Sequence, residues 1–275
     1  MSERLPGGRF LGQVVRHRVL AGLTLCETRY APGTCLPRHS HERAYFCLVR
    51  RGTYREEYAG RQRSCGPLTL AYHPPGELHA EQIGSAEVRS FNIEFGPAWP
   101  RFACGAALPL DRPFDTRGEP LVSLAVRLFN EFSRPDPASP LIIEGLTLEL
   151  LGHTVRAAQP GLTATAPAWL ERVRELLAEC CTHPPSLSGL AAEAGVHPGH
   201  LAAAFRRHFG CTLGEYTRQR RVELACRQLA ATDRPLAEIA VAVGFADQSH
   251  LTRTFKRHIG VTPAAYRREA GRSKS

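Results

Sequence analysis

Up to about residue 95, apolar and polar positions alternate in short segments rich in Val, Tyr, Phe and Thr. Turn signals separate them at Pro32-Gly33, Arg51-Gly52, Ala59-Gly60, Gly66-Pro67, Pro75-Gly76 and Gly84-Ser85. Short strands at this spacing predict an antiparallel sandwich or barrel. From Glu119 the period becomes helical. Leu121, Leu124, Ala125, Leu128 and Phe132 recur three and four apart, and Ile142, Leu146, Leu150 and Val155 form a second apolar stripe. Two amphipathic helices are expected, over about 120–133 and 140–158. The uncharged stretch Gln159-Pro-Gly-Leu-Thr-Ala-Thr-Ala-Pro167 has linker chemistry. Beyond it nearly everything reads as helix.

The last hundred residues repeat at a spacing of about fifty. One copy runs from Leu187 to Gly210 and the other from Leu236 to Gly260. Each has a short apolar helix with a small residue (Ala191, Ala240), a glycine four positions on (Gly195, Gly244), then a helix with Leu and Phe four apart (Leu201 and Phe205; Leu251 and Phe255). The alanine permits close helix approach, the glycine a sharp turn of positive φ, and the Leu/Phe pair buries the second helix against the first. These are paired helix-turn-helix units. Each ends at a glycine with basic residues in the last turn: Arg206, Arg207 and His208, then Lys256, Arg257 and His258. Thr262-Pro263 reads as the cap and first residue of a terminal helix. A connecting helix of about eighteen residues, marked by Leu213, Tyr216, Val222, Ala225 and Leu229, spans roughly 27 Å. The two second helices are therefore expected about one DNA turn, roughly 34 Å, apart.

The charge agrees with a polyanionic partner in this region. The chain carries 35 Lys+Arg and 26 Asp+Glu, a formal net charge of +9. Residues 168–275 hold 16 of the cations and 10 of the anions, so six units of the excess lie there. Nine cysteines without a CxxC pair fit reduced thiols rather than a disulfide framework. Met1 to Gly12 has no signal-peptide apolar run, and nowhere do about eighteen apolar residues follow one another. A cytoplasmic protein with no membrane partner is expected.

The segment from about Ser186 to Arg268, above all Ile239-Ala-Val-Ala-Val-Gly-Phe-Ala-Asp-Gln-Ser-His-Leu-Thr-Arg-Thr-Phe-Lys-Arg-His-Ile-Gly-Val-Thr-Pro-Ala-Ala-Tyr-Arg267, closely resembles the DNA-binding domain of the arabinose-regulator (AraC/XylS) family of bacterial transcription factors. The resemblance implies a transcription regulator that binds double-stranded promoter DNA, activates through RNA polymerase and is controlled by a separate N-terminal domain. With Phe245, Leu251 and Phe255 assigned to core, Gln248, Ser249, His250, Thr252 and Arg253 remain to read DNA. Gln suits adenine, Arg guanine, and Thr a thymine methyl. The first copy offers His200 with Gly199, Ala202 and Ala203, then Arg206 and Arg207 for phosphates. The second unit is expected to supply most direct readout, and the first groove fit and charge.

In the first half, Gly33-Thr-Cys-Leu-Pro-Arg-His39-Ser-His41, followed by Gly52, Gly66 and Pro74-Pro-Gly76-Glu-Leu-His79, resembles the two motifs of the cupin barrel. That family holds a divalent metal with an HxH pair, a later glutamate and a histidine of the second motif. His39 and His41 point to one face of a strand. The glutamate position falls at Tyr45 or Phe46, and Glu42 faces away. His39, His41 and His79 leave a metal site, a metal-free effector pocket with Tyr45, and a structural cluster all open. His73 is a further candidate whose direction is not fixed by the sequence.

The expected fold is α+β and multidomain: a cupin-like antiparallel β-barrel as sensor (1–115), a helical segment the AraC resemblance marks for homodimerisation (116–158), a linker (159–167), and an all-α tandem helix-turn-helix domain (168–275). The expected function is a regulator without catalytic residues, responding to an unknown small-molecule effector and carrying no cofactor unless a divalent metal occupies the histidines. The rival is a cupin enzyme or metal sensor fused to a DNA-binding domain.

Overall fold

The alternating first half resolves into strands. In the computed structural model, residues 3–97, 99, 110–118, 120–158 and 166–271 are described. The chain divides into two compact units, residues 1–117 with 121–158, and residues 159–275 with 118–120.

The first unit contains β1 (Glu3–Leu5), β2 (Gln13–Leu20), β3 (Leu23–Tyr30), β4 (Cys35–His41), β5 (Tyr45–Arg51), β6 (Tyr54–Tyr58), β7 (Arg61–Cys65), β8 (Leu70–His73), β9 (His79–Ile83), β10 (Val88–Phe95) and β11 (Phe114–Thr116). Among the described residues these form two sheets, in the orders β1-β4-β9-β6-β7 and β11-β8-β5-β10-β3-β2. The expected single barrel is thus two separately hydrogen-bonded sheets. Nor is the pairing wholly antiparallel, because β1 runs parallel to β4, with Leu5 beside His41. Val49, Tyr54, Cys65, Ile83 and Val88, drawn from both sheets, form one buried cluster between them. Strand β6 shows the alternation plainly: Tyr54, Glu56 and Tyr58 are buried while Arg55 and Glu57 are exposed. An ionisable residue at a core-facing position marks this interior as more than packing.

Two helices follow, α1 (Leu121–Ser133) and α2 (Ser139–Ala158). On α1 the expected stripe is buried in full. Phe129 and Phe132 pack on Phe91 of β10 with ring centroids 5.3 and 5.1 Å apart. That cover explains why β5 and β10 are buried on both faces. On α2 the buried face is Ile143, Leu146, Leu150 and Leu151, with Thr147 and Thr154. Ile142, expected on the stripe, is 40% exposed, and Val155 is only half-buried. A rotation of one residue, about 100°, takes Ile142 off the face that Ile143 occupies.

Most of the expected linker, 159–165, lies outside the described residues. The second unit is helical: α3 (Ala168–Glu179), α4 (Leu187–Glu193), α5 (Pro198–Phe209), α6 (Leu213–Ala231), α7 (Leu236–Ala242), α8 (Gln248–Ile259) and α9 (Pro263–Gly271). Ala191, Ala240, Leu201, Phe205, Leu251 and Phe255 are all buried. Gly195 and Gly244 have φ of 67° and 89°, and Gly210 and Gly260 close α5 and α8 in the left-handed region. Thr212 and Glu215 form a capping box at the start of α6, and Thr262 Oγ1 accepts from the Ala265 amide at 3.2 Å. Among the described residues no disulfide is seen, and no described helix is long and apolar enough to cross a membrane.

Candidate functional site

The DNA-reading residues expected of the second copy lie on the first two turns of α8. Gln248, Ser249 and Arg253 are exposed, whereas His250 and Thr252 are half-buried. Asp247 caps the helix by accepting from the His250 amide at 2.6 Å. The imidazole of His250 meets Phe245 edge-on at 5.1 Å, which holds the ring against its own unit. Leu251, Thr254, Phe255 and Ile259 bury the opposite face. The exposed side chains therefore stand on a helix whose rotation is fixed by packing.

On α5, Gly199, His200, Ala203, Arg206 and Arg207 are exposed and Ala202 is half-buried. The face is as poor in hydrogen-bonding groups as its sequence implies. One contact escaped sequence reasoning: His200 packs on Trp169 of α3, with ring centroids 5.8 Å apart. Arg221 of α6 donates from Nε to the Cys181 carbonyl at 2.6 Å, tying the turn after α3 to the core of the unit.

The first unit gathers its histidines between the sheets. His39, His41, His73 and His79 are all at least 96% buried. A β-bulge does part of this. Leu36 pairs with Glu81 but His39 with His79, so β4 spends one residue more than β9 over that interval. Pro37 and Arg38 both face out, and His39 arrives beside His79 with ring centroids 4.3 Å apart. One ring nitrogen from each of His39, His41 and His79 lies within 4.8 Å of the other two. His39 Nδ1 donates to the Pro37 carbonyl at 2.9 Å and His79 Nδ1 to the Glu77 carbonyl at 3.3 Å, leaving each Nε2 with its lone pair. His41 Nδ1 is buried with no hydrogen-bond partner. Burial, reinforced by the neighbouring rings, pushes His41 down to about 2 and His79 to about 4, and burial also lowers His39. All three are neutral donors at pH 7, the form that ligates metal.

Tyr45, one of two positions expected for the missing carboxylate, faces into this cluster. It stacks on His73 at 4.4 Å, and its hydroxyl lies 3.4 Å from His79 Nε2. Phe46 points the other way, toward Tyr72 and Phe95. Glu42 lies outside and accepts from the Gly7 amide. The carboxylates beside the histidines are Glu56 of β6, Glu81 of β9 and Glu77 of the second motif. Glu56 of β6 pairs in register with Arg63 of β7 and Glu81 of β9. Arg63 grips Glu56 at 2.7 and 3.0 Å and donates from Nη2 to His73 Nε2 at 3.1 Å. His73 must then donate from Nδ1 to Glu77, 2.9 Å away. Burial, with Glu56 beside it, pushes Glu81 up to about 8, and burial pushes Glu77 up to about 7. His39, His41, Tyr45 and Glu81 line a narrow cavity with Phe10 and Tyr30, with room for about one water-sized molecule.

Two family models match the chain: an AraC-like ligand binding domain over residues 21–151 and a helix-turn-helix domain over residues 190–269. The regulatory protein SoxS of Salmonella typhimurium is 35% identical over 79 residues, which are 29% of this chain and 74% of SoxS. A putative AraC-like transcription regulator of Streptomyces antibioticus is 32% identical over 127 residues, 43% of this chain and 42% of that protein. The crystal structure of ToxT from Vibrio cholerae O395 is 11% identical, with a TM-score of 0.40, over 90% of this chain and 97% of that one. With a ligand-binding region, a tandem helix-turn-helix region and relatives that are transcription regulators, the chain belongs to the AraC family of DNA-binding transcription regulators.

Proposed function

We propose that this regulator binds promoter DNA through α8 and α5 and activates transcription through RNA polymerase in the cytoplasm, without catalysis of its own. The observation that carries the DNA reading is the exposed Gln248, Ser249 and Arg253 on a helix locked by Leu251, Phe255 and Ile259. Half-buried His250 and Thr252 complete the base-reading set, while His200, Arg206 and Arg207 of α5 give phosphate contact and groove fit. In binding-site selection from random duplexes, Arg253→Ala is expected to relax one base position by about 1–3 kcal/mol and leave the others unchanged. A uniform loss across all positions contradicts base reading by Arg253.

A homodimer is supported by the outer face of α2. Leu141, Gly145, Leu148 and Gly152 recur at intervals of four, three and four, Leu141 is 76% exposed, and a Cβ on either glycine meets nothing within 4 Å. Two such helices fit closely together. Leu148→Glu should leave the wild-type fold but sediment as a monomer; an unchanged sedimentation coefficient rejects this face.

The first unit is the sensor in this reading, with His39, His41, Tyr45 and His79 as its ligand-binding residues. The cavity favours a small ligand, since pockets for drug-sized molecules run to several hundred Å³. The convergence of three neutral imidazoles within 4.8 Å, one with an unpartnered buried nitrogen, supports a second reading in which His39, His41 and His79 hold a divalent transition metal. A bound ion would supply fixed positive charge among otherwise neutral donors. Zinc titration followed by elemental analysis should give one ion per chain, lost in a His39→Ala/His41→Ala variant. Wild-type protein without stoichiometric metal leaves the effector pocket as the reading.

A further inference from the structure

The two recognition helices differ in what supports the histidine on their first turn. Aligning the copies on Leu201 and Leu251 sets His200 beside His250 in the repeat. In the second unit His250 leans on Phe245, the residue after the turn glycine, and Phe245 is only 3% exposed. In the first unit the residue after the glycine is Val196, too short to serve. The aromatic partner comes from outside the repeat: Trp169, on the first turn of α3, packs against the cluster around Leu170, Leu201 and Phe205. Its ring also neighbours His200, with centroids 5.8 Å apart, and Trp169 is half-buried rather than buried. The second unit thus hides its aromatic support, whereas the first leaves it at the surface beside the exposed face of α5.

That face needs contacts. Gly199, Ala202 and Ala203 carry no side-chain donor, so before Arg206 the large polar group on α5 is His200 alone. Indole brings an N–H donor on a rigid plane, with little rotamer entropy to lose on binding. We infer that Trp169 is part of the DNA-contacting surface: seated against His200, it extends the face of the first helix-turn-helix unit onto the sugar-phosphate backbone beside the groove. The contact is with backbone, so it positions the unit and reads no sequence. This rests on the proposed placement of α5 on DNA.

The chain has two tryptophans, so Trp99→Phe leaves Trp169 as the single reporter. The probe is a labelled duplex recovered by selection with the wild-type chain, alongside its scrambled counterpart. Saturating DNA, judged by anisotropy of the label, should change the Trp169 emission. Trp169→Phe, which keeps an aromatic ring on the core, should retain the melting temperature and weaken both duplexes by a similar factor of about three to ten. His200→Ala should add little to that loss, since the two rings act as one contact. Unchanged emission at saturation overturns the inference, as does wild-type affinity in Trp169→Phe or a loss confined to the selected duplex. If the label's anisotropy never rises, the DNA placement of the unit fails first, and the inference with it.

Discussion

Gly244→Ala is expected to destabilise the second unit by about 2–5 kcal/mol and to abolish DNA binding, while Gly195→Ala costs about 1–2 kcal/mol and leaves binding measurable. Both glycines turn the chain between the helices of a repeat with positive φ, which an L side chain adopts at a cost. Only one of them is also packed. A Cβ on Gly195 meets nothing within 4 Å, but one on Gly244 would lie 2.5 Å from the Thr182 carbonyl oxygen and 2.8 Å from Thr182 Cα. These are backbone atoms, held in place because Arg221 donates to the Cys181 and Thr182 carbonyls. The turn of the second repeat and the turn after α3 therefore cannot yield separately. With two compact units the unfolding is not expected to be two-state. In a Trp99→Phe background the Trp169 emission follows the second unit alone. Equal destabilisation by the two substitutions contradicts the account of Gly244.

Arg63→Met is expected to cost the first unit about 3–5 kcal/mol, the consequence of leaving one partner of a buried ion pair without the other. Arg63 and Glu56 have side chains only 5% and 0% exposed. The guanidinium also donates to the Phe114 carbonyl at 3.0 Å and to His73 Nε2, so β7, β6, β8 and β11 meet on one group. A second substitution, Glu56→Leu, should recover most of the loss, because an apolar pair avoids the desolvation that the ion pair only offsets. Chemical denaturation of the single and double variants, followed by near-ultraviolet circular dichroism, measures both. A loss under about 1 kcal/mol for Arg63→Met would place the pair with exposed salt bridges and contradict its burial.

These two residues also show what was legible in the sequence. Gly244 was, because a helix-turn-helix repeat is local: its alanine, glycine and Leu/Phe spacing lies within about twenty-five residues, and a second copy confirms it. The histidines were legible for a related reason, since a period of two puts His39 and His41 on one side of a strand. Arg63 and Glu56 were not, because what joins them is the register of β6 on β7 and what brings His73 to them is the packing of one sheet on the other, neither of which is stated within a single strand. The same applies to the bulge at Pro37 and Arg38, which a sequence shows only as two more polar or small positions. The expected carboxylate position falls at Tyr45 or Phe46, but the carboxylates near the histidines include Glu56 of β6 and Glu81 of β9. The period puts Ile142 on the stripe where the structure buries Ile143, because one position turns a helix face by about 100°. Trp169 gave no signal at all, since its contact with His200 is made across thirty residues by tertiary packing.

The regulator reading depends on two helix-turn-helix units engaging one duplex. A hydroxyl-radical footprint of the chain, both units together, on a selected duplex tests this most directly. Two protected patches are expected on one face of the DNA, about one helical turn apart, with base-specific interference concentrated in the patch contacted by α8. A single patch, or protection without sequence preference, would contradict it.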